Sequence, residues 1–291
     1  MNKIESSELI LNKRGAVYHL DLRPEEIADT IITVGDPSRV GRISCHFDHI
    51  EYQTSNREFI SHTGTTGNKR ITVISTGIGT DNIDIVLNEL DALVNIDLET
   101  RLVKHEKKQL NIIRLGTAGA LQKDIAIDSI VASTHGIGLD NLMHFYPFSN
   151  NNEEHDIARA FKQHTLMSSS TSDPYVFGAG AFLLAKLVDR TAAGLTVSCP
   201  GFYGPQGRNL RLGLYMANLN ELLTSFQFGN HRILNFEMET SAIYGLGKCM
   251  GHQCISFSTI VANRITKEFT SNAEAAVDKM IEYVLERVER S

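Results

Sequence analysis

The sequence predicts an α/β fold, and three observations lead to this prediction. Strand-like apolar runs recur along the chain, and helical patterns lie between them. Glycine-rich turns are predicted to follow three of the strands, at residues 35–39, 76–82 and 116–119. Alternation of this kind favours a mixed or mostly parallel sheet. The predicted strands lie at 30–34, 70–75, 110–115, 127–133, 194–198 and 253–261.

Helical patterns occupy intervals between these strands. Two of them are predicted over Asp81 to Val94 and over Phe177 to Asp189. The last segment of the chain gives the clearest pattern, because its apolar residues repeat at helical spacing while its charged residues lie elsewhere. The apolar face of that helix consists of Val277, Met280, Ile281, Val284 and Val288.

Two segments have weaker patterns. Residues 96–109 carry many charges, and we expect a solvated helical excursion before the next strand. Residues 141–175 are polar and contain the serine-rich run 168–172, so we expect a surface loop with one short helix. No repeat, low-complexity stretch or Pro/Gly-rich linker divides the chain, and we expect a single domain over residues 1–291.

Composition narrows the function class. The chain has 291 residues, of which 42% are hydrophobic, and this is enough for a sizeable core. The net charge of -6 and the lack of a basic run argue against binding to a nucleic-acid backbone. No long apolar run predicts a membrane span, and the polar start does not match a signal peptide. The four cysteines are scattered, so we expect free thiols in a reducing cytoplasm.

The segment from Ile112 to Gly119 is the most informative part of the sequence. It places Arg114 among apolar residues at a predicted strand end, directly before glycines and Thr117. A buried arginine is unfavourable unless an anion meets it, and the turn can aim backbone N–H groups at the same spot. One interpretation is an anion site at the carboxyl end of a strand, where open α/β sheets bind ligands. The other is a junction whose arginine pairs with a carboxylate.

Two further strands share this arrangement and favour the anion site. The strand at 30–34 is followed by Gly35, Pro37 and then Arg39, at the start of a predicted helix. The strand at 70–75 is followed by the glycine-rich segment 76–82. Arginine suits a phosphate-sized anion because its planar fork offers paired donors to oxyanions. We therefore expect one phosphate-like group to be held from several loops.

Two other segments have the chemistry of sugar and base recognition. Residues 236–240 place two glutamates around Met238 at the start of a predicted helix. A carboxylate can accept hydroxyl protons while a thioether covers a sugar ring. Residues 201–208 form a Gly/Pro loop that carries aromatic side chains, an amide and a guanidinium. This set suits a planar heterocycle with carbonyls and an N–H group.

Two motifs are weak. Gly77 and Gly79 begin a dinucleotide-binding pattern, but its third glycine would fall at Asn82, and a Rossmann cofactor site is not favoured. The cluster Cys45, His46, Asp48 and His49 resembles a set of metal ligands, but no second ligand pair with zinc-site spacing exists. We therefore expect a polar helix face or loop at residues 45–49.

Together these motifs resemble the nucleoside phosphorylase superfamily, and within it the uridine phosphorylases, over nearly the whole chain. The resemblance implies a three-layer α/β/α domain around a central mixed, partly barrel-like sheet. It also implies reversible cleavage of uridine by phosphate to uracil and ribose 1-phosphate. The motifs are Gly35-Asp36-Pro37-x-Arg39-Val40, Arg57-Glu58-Phe59, Ser75-Thr76-Gly77-Ile78-Gly79, Arg114-x-Gly116-Thr117-x-Gly119, Gln206-x-Arg208 and Glu237-Met238-Glu239.

The resemblance also assigns roles by position. The implied phosphate contacts are Gly35, Arg39, Arg114, Thr117 and, from a neighbouring subunit, Arg57. The implied ribose contacts are Met238, Glu239 and, again across a subunit boundary, His19. The implied base contacts are Phe202, Gln206, Arg208 and Arg264. The expected assembly is a homo-oligomer built from dimers with shared active sites.

The sequence departs from the family pattern at three places. Purine-cleaving relatives carry an aspartate after the strand that ends near Val261, whereas this chain has Asn263 in that region. Asn82 stands where some bacterial members use a serine to hold a monovalent cation between subunits, although Glu58 and the Ile78 carbonyl remain. The resemblance therefore leaves a structural potassium ion open. Segment 96–109 is longer than in compact bacterial members, so a hexamer does not follow.

The residues and the resemblance lead to one mechanism. Phosphate is the nucleophile and a co-substrate, so no protein nucleophile or cofactor is required, and catalysis rests on positioning and charge stabilisation. The expected catalytic residues are Arg114, Glu239, Gln206 and Arg208. The alternatives are a purine nucleoside phosphorylase, a nucleosidase that uses water, and a non-catalytic nucleoside-binding protein on the same scaffold.

Overall fold

The structure is a computed structural model that describes residues 3–167 and 173–290. The serine-rich run 168–172 lies outside the described residues. The helices are α1 (Ser38–Ser44), α2 (Thr80–Asn95), α3 (Asn152–Thr165), α4 (Ala181–Leu187), α5 (Leu219–Ser225), α6 (Thr240–Met250) and α7 (Ala273–Glu289). The strands are β1 (Thr30–Val34), β2 (His49–Asn56), β3 (Phe59–Thr66), β4 (Lys69–Ser75), β5 (Ile96–Asp97), β6 (Leu102–Val103), β7 (Asn111–Ala120), β8 (Ile130–Gly138), β9 (Tyr175–Gly178), β10 (Ala192–Ser198), β11 (Gln227–Phe228), β12 (His231–Glu237), β13 (Gln253–Asn263) and β14 (Glu268–Phe269).

Within the described part of the chain, twelve strands form one mixed sheet that partly closes on itself. Five of them, β12, β10, β8, β13 and β7, follow one another in the sheet order. The ring closes where β12 returns to β7, with Phe236 paired to Gly119 and Asn235 to Ala120. From β7 the sheet continues outward through β1, β4, β3 and β2.

Helices cover both faces of the sheet, and strand alternation decides which core each residue joins. Ile31 packs with residues of α2 and α6, whereas its neighbour Ile32 packs with residues of α1, α4 and α7. Successive strand residues point to opposite faces, so these two clusters lie on either side of the sheet. The predicted three-layer α/β/α fold with a mixed, partly barrel-like sheet is confirmed.

The predicted strands all occur, but one boundary changes how the site is built. Strand β7 does not end before the glycines; it continues through them to Ala120. Gly116 still pairs with Ser258 of β13, and Gly119 pairs with Phe236 of β12. The predicted turn at 116–119 is therefore wrong, because these residues form the stretch of strand that joins the barrel.

Three other segments also differ from expectation. Residues 96–109 were expected to be helical, but they contain the β5–β6 hairpin, in which the Asp97 carboxylate accepts from the N–H groups of Glu99 and Thr100. The predicted helix from Phe177 shortens to α4, because its first residues belong to β9. The predicted short helix in 141–175 is the 14-residue α3, which Asn151 and Glu154 begin with a reciprocal capping box. The polar residues 45–49 lie after α1 and lead into β2.

Candidate functional site

A cleft of about 670 Å³ opens where β1, β4 and β7 lie side by side. All three strands run parallel, and Val34 at the end of β1 is level with Ser75 of β4 and Leu115 of β7. The segments that follow β1 and β4 therefore meet above the middle of β7. Most predicted site residues line this cleft: Gly35, Arg39, Glu58, Ile78, Asn82, Arg114, Thr117, Phe202, Gln206, Arg208, Met238 and Glu239.

Arg114 lies at the floor of the cleft and is only 6% exposed. Its Nη2 atom is 3.0 Å from Glu237 Oε2 and also bonds Glu239 Oε2. Burial acts to lower the pKa of Arg114, but the Glu237 and Glu239 carboxylates raise it above its ordinary value. The interpretation that the arginine pairs with carboxylates is therefore confirmed. Arg114 also faces the cleft, and the anion site stays a prediction.

Arg39 approaches the same space from the first turn of α1. It is half-buried, and burial lowers its pKa, with the positive charge of Arg114 among the smaller causes. The charge of Arg114 thus acts on Arg39, and two neighbouring guanidinium groups of this kind favour binding of a shared anion. Gly35 and Thr117 line the cleft between them, which is suitable for a phosphate-sized group.

Glu239 is the N-cap residue of α6, and its side chain is buried beside Arg114. Its Oε1 atom accepts the backbone N–H of Gly79 at 2.8 Å, so the turn after β4 holds the carboxylate directly. Burial raises the pKa of Glu239; Arg114 opposes this effect and Glu237 adds to it. The sequence motifs include Gly79 but gave it no contact with Glu239, because the two residues are 160 positions apart.

Glu237 ends β12, and its carboxylate is also buried. It accepts from Ser198 Oγ at 2.6 Å and from the backbone N–H groups of Glu239 and Thr240. The predicted helix start at these residues is early by a few positions, since α6 begins at Thr240. The sequence pattern indicated both glutamates but gave only Glu239 a role.

The residues predicted to bind the base form one connected group. Arg208 Nη1 donates to Gln206 Oε1 and to the Phe202 carbonyl, each at 2.6 Å. The Arg208 guanidinium lies 3.7 Å from the centre of the Phe202 ring. Burial lowers the pKa of Arg208, and the charge of Arg264 contributes in the same direction. Gln206 is 3% exposed, so its amide is fixed at the end of the cleft.

Phe269 also lines the cleft and was not predicted. It lies on β14, which pairs with the end of β13 through Ala262, and its side chain is largely exposed. The only sequence signal was an aromatic residue in a polar segment after a strand. Its position brings an apolar face toward the same space as Phe202.

Asn263 occupies the region where purine-cleaving relatives are expected to carry an acid. Its Nδ2 atom donates to the carbonyls of Gln122 at 2.9 Å and Ile125 at 2.8 Å. Its Oδ1 atom accepts the N–H groups of Ile265 and Thr266. Both ends of this buried amide are therefore bonded to backbone and hold the segment after β13 in place.

Three predicted site residues do not line the cleft of their own chain. Arg264 lies behind it, with its guanidinium 5.9 Å from the centre of the Phe236 ring. His19 and Arg57 lie together elsewhere: Asn56 donates to the His19 carbonyl, and the Arg57 guanidinium is 6.0 Å from the Tyr18 ring centre. Glu89 accepts from the His19 backbone N–H at 3.0 Å and lies 2.7 Å from its Nδ1 atom. The roles of all three stay predictions.

The residues expected around a monovalent cation are adjacent. Asn82 Nδ2 donates to Glu58 Oε1 at 3.4 Å, beside Gly77. The amide nitrogen of Asn82 faces the carboxylate, and the ion stays a prediction. Within residues 3–167 and 173–290, no cluster of three or more His, Cys, Asp or Glu side chains has metal-binding geometry.

Two further findings concern the whole of the described structure. All four cysteines, Cys45, Cys199, Cys249 and Cys254, are free thiols. None of the helices in the described ranges combines the length and apolar character that a membrane crossing requires.

Comparisons with known proteins agree with this architecture. The phosphorylase superfamily model matches residues 29–289. The chain is 28% identical to a uridine phosphorylase of Thermococcus kodakarensis, over 94% of this chain and 87% of the relative. It is 29% identical to a DeoD-type purine nucleoside phosphorylase of Bacillus cereus, over 92% of this chain and 97% of the relative.

Solved structures of related proteins have a similar fold. A Trypanosoma brucei nucleoside phosphorylase, described as showing uridine phosphorylase activity, superposes with a TM-score of 0.89 at 30% identity, covering 97% of this chain and 100% of that one. A uridine phosphorylase structure from Phytophthora capsici, at 21% identity, has a TM-score of 0.69 over 100% of this chain and 99% of that one, and shows likeness of fold. The chain therefore belongs to the phosphorylase superfamily, and the resemblance of its motifs to the nucleoside phosphorylases is confirmed.

Proposed function

We propose that this protein catalyses the reversible phosphorolysis of uridine to uracil and ribose 1-phosphate. The observation that carries the proposal is the pairing of Gln206 with Arg208 against Phe202. The O2–N3–O4 edge of uracil needs a donor, an acceptor and a second donor. Gln206 offers one of each in its amide, and Arg208 adds the further donor. Cytosine presents an amino group where Arg208 requires an acceptor, which leaves buried polar groups unpaired.

The phosphate and ribose ends of the cleft complete the mechanism. Arg39, Arg114, Gly35 and Thr117 hold phosphate near the anomeric carbon, and Met238 with Glu239 binds the ribose. Glycosidic cleavage of this kind passes through an oxocarbenium-like state, which phosphate captures. Arg208 with Gln206 stabilises the departing uracil anion, since preorganised donors act where charge develops. The residues thus act by positioning and charge, without a protein nucleophile.

Asn263 further favours a pyrimidine over a purine. Purine cleavage is assisted by protonation of the base, and the side-chain amide at this place is bonded at both ends to backbone groups. It has no proton to transfer to a leaving base. Relatives at similar identity include both uridine and purine nucleoside phosphorylases, so the choice of base rests on these residues.

The proposal extends to the assembly and the setting. His19 and Arg57 lie side by side outside the cleft, as expected of residues that reach into a neighbouring subunit's site. We infer a homo-oligomer built from dimers with shared active sites, acting in pyrimidine salvage in the cytoplasm. Arg264 supports the base end from behind the cleft, and residues 1–291 act as one domain.

Base release followed by ultraviolet absorbance tests the proposal on uridine, thymidine, cytidine and inosine, each with and without phosphate. We expect phosphate-dependent cleavage of uridine, and cleavage of cytidine and inosine slower by at least about fivefold, since an unpaired buried group costs about 1–3 kcal/mol. Inosine cleavage as fast as that of uridine would identify a purine enzyme. Phosphate-independent release would identify a nucleosidase, and nucleoside binding without turnover a sensor.

A further inference from the structure

We propose that Glu237 is a positioning residue that fixes Arg114 for phosphate binding and holds the ribose and base segments in register with it. This inference rests on the proposed function, because it concerns how the phosphate subsite is ordered. Glu237 is 4% exposed and lies between the three subsites. Its side chain has not been given a role by the sequence motifs.

The surroundings of the Glu237 carboxylate consist of donors. Oε1 accepts from Ser198 Oγ and from Thr240 N–H. Oε2 accepts from the N–H groups of Glu239 and Thr240, and Arg114 Nη2 lies 3.0 Å from it. A glutamine at this position would turn an –NH2 group toward one of these donor sets, where it would find no acceptor. This set of donors therefore favours a carboxylate over an amide of the same shape.

Arg114 depends on this carboxylate for its orientation. Its other strong partner, Glu239, is the group proposed to accept the ribose hydroxyls. Among the described residues, its remaining side-chain hydrogen bond is a long one, from Nη1 to Ser258 Oγ at 3.5 Å. Glu237 is bonded to backbone at the start of α6 and does not need to leave when substrates enter. It is thus the permanent partner that keeps the guanidinium aimed into the cleft.

The backbone of Glu237 connects the same residue to the base end. Its carbonyl accepts the Cys199 N–H at 2.8 Å, directly after β10 and before the loop that carries Gln206. Gln206 Nε2 lies 3.5 Å from that carbonyl. Glu237 therefore contacts the phosphate arginine, the backbone of the ribose carboxylate and the base-binding amide at once.

Calorimetric binding of inorganic phosphate to the full-length protein tests this role, because it needs no turnover. For Glu237→Gln we expect phosphate binding weaker by about 100-fold, the size of effect that a misplaced contact group produces. Glu237→Asp keeps the charge and should retain an intermediate affinity. Ser198→Ala removes one of the supporting donors, and we expect a smaller loss, of several-fold, in a protein that remains folded.

Glu154→Gln is a matched control. Glu154 is a buried carboxylate that caps α3, pairs with Lys248 and lies outside the cleft. It should lower the unfolding temperature without changing phosphate affinity. Two results would overturn the proposal: phosphate affinity in Glu237→Gln and Ser198→Ala equal to that of the unaltered protein, or tighter binding in Glu237→Gln, which would mean that Glu237 acts only as a repelling charge.

The steady-state readout separates this inference from the proposed function. A protein that binds phosphate but cleaves no nucleoside contradicts the proposed function, while the binding comparison still decides the role of Glu237. If uridine is cleaved, Glu237→Gln should raise the KM for phosphate. Glu154→Gln should lower the unfolding temperature and leave that KM unchanged. An unchanged KM for phosphate in a folded Glu237→Gln protein would count against the inference alone.

Discussion

The guanidinium of Arg114 lies directly over Gly116, where a β-carbon would come within 1.9 Å of Nη1. No side chain can be accommodated at Gly116 unless Arg114 moves. The observed conformation of Arg114 therefore requires a glycine two residues later on β7, for steric reasons. Arg114 and Gly116 therefore form one structural unit of β7, because the conformation of the arginine depends on the glycine.

Gly116→Ala should abolish most phosphate binding while leaving the sheet intact. The new methyl group would displace the guanidinium from Glu237 and from the cleft, and a misplacement of about 1 Å can lower a rate about 100-fold. Calorimetric phosphate binding and steady-state turnover would measure the loss. Gly41→Ala is the control, because a β-carbon there has nothing within 4 Å and α1 should be slightly stabilised. Normal phosphate binding in Gly116→Ala would contradict the steric argument.

Arg114→Ala should remove an essential phosphate ligand. A charged contact of this kind is worth about 2–4 kcal/mol in transition-state binding, so kcat/KM for phosphate should fall by at least about 30-fold. The loss should far exceed that of Arg232→Ala, whose partner Asp124 is on the exposed surface. Turnover and a phosphate KM close to those of the unaltered protein would defeat this prediction.

The pH dependence of uridine cleavage should report Glu239. Burial raises the pKa of its carboxyl. Since the ionised form is proposed to accept the ribose hydroxyls, kcat/KM for uridine should rise with pH through a value above the ordinary carboxyl range. Glu239→Gln should lose this limb, while any limb due to phosphate ionisation is common to both proteins. Identical profiles apart from a constant factor would show that Glu239 does not titrate there.

The same pKa shift has a consequence for stability. The folded protein holds the Glu239 proton more tightly than the unfolded chain does, so folding binds protons in the interval between the two pKa values. Stability should therefore fall as pH rises from the ordinary carboxyl pKa through the raised one, and it should be fully retained below that interval. Unfolding by urea at several pH values, compared between the unaltered protein and Glu239→Gln, measures the difference in slope.

Mixing two inactive proteins should restore activity if sites are shared between subunits. His19→Ala and Glu239→Ala each damage one side of the proposed shared site. After subunit exchange, some sites would receive an intact half from each parent. Recovery should follow the kinetics of exchange, which fluorescence transfer between labelled subunits can monitor. A mixture that remains inactive after complete exchange would indicate that each chain supplies its own site.

Asn263→Asp should destabilise the protein without creating purine cleavage. The amide donates to two backbone carbonyls, and a carboxylate at this place would turn an acceptor toward each of them. An unsatisfied buried group costs about 1–3 kcal/mol, so the unfolding free energy should fall by at least that much. Thermal unfolding and an inosine phosphorolysis assay measure the two effects. A stable Asn263→Asp protein that cleaves inosine would show that the base preference lies in this one side chain.

The sequence predicts three of the strands that bring the site together, although β12, which is also buried and ends at Glu237, was missed. β1, β4 and β7 are apolar runs followed by, or containing, glycines, and parallel pairing places them side by side. By contrast, β2 was missed because it is an edge strand with mostly exposed polar residues, so its pattern is that of a loop. The β5–β6 hairpin was missed because a side-chain turn at Asp97 overrides the helical appearance of a charged segment.

Residue types in the cleft were predictable, but their connections were not. The bond from Gly79 to Glu239 spans 160 residues, and that from Ser198 to Glu237 spans 39. The spacing of apolar residues along a helix or strand gives no information about contacts between residues so far apart in sequence. Phe269 gave no signal because an exposed aromatic residue in a loop is ordinary in isolation. His19 and Arg57 were assigned through a neighbouring subunit, and their position outside the cleft leaves that assignment to the mixing experiment.

The pairing of β12 with β7, here called the seam of the barrel, affects when the candidate site forms during folding. Arg114 stands on one side of this seam, and Glu237 with Glu239 follows immediately on the other. In a chain whose ring of strands has not closed, Arg114 is separated from Glu237 and Glu239. Closure of the barrel therefore also assembles the candidate site, and a partly folded chain with an open ring would carry every residue of that site without the cleft.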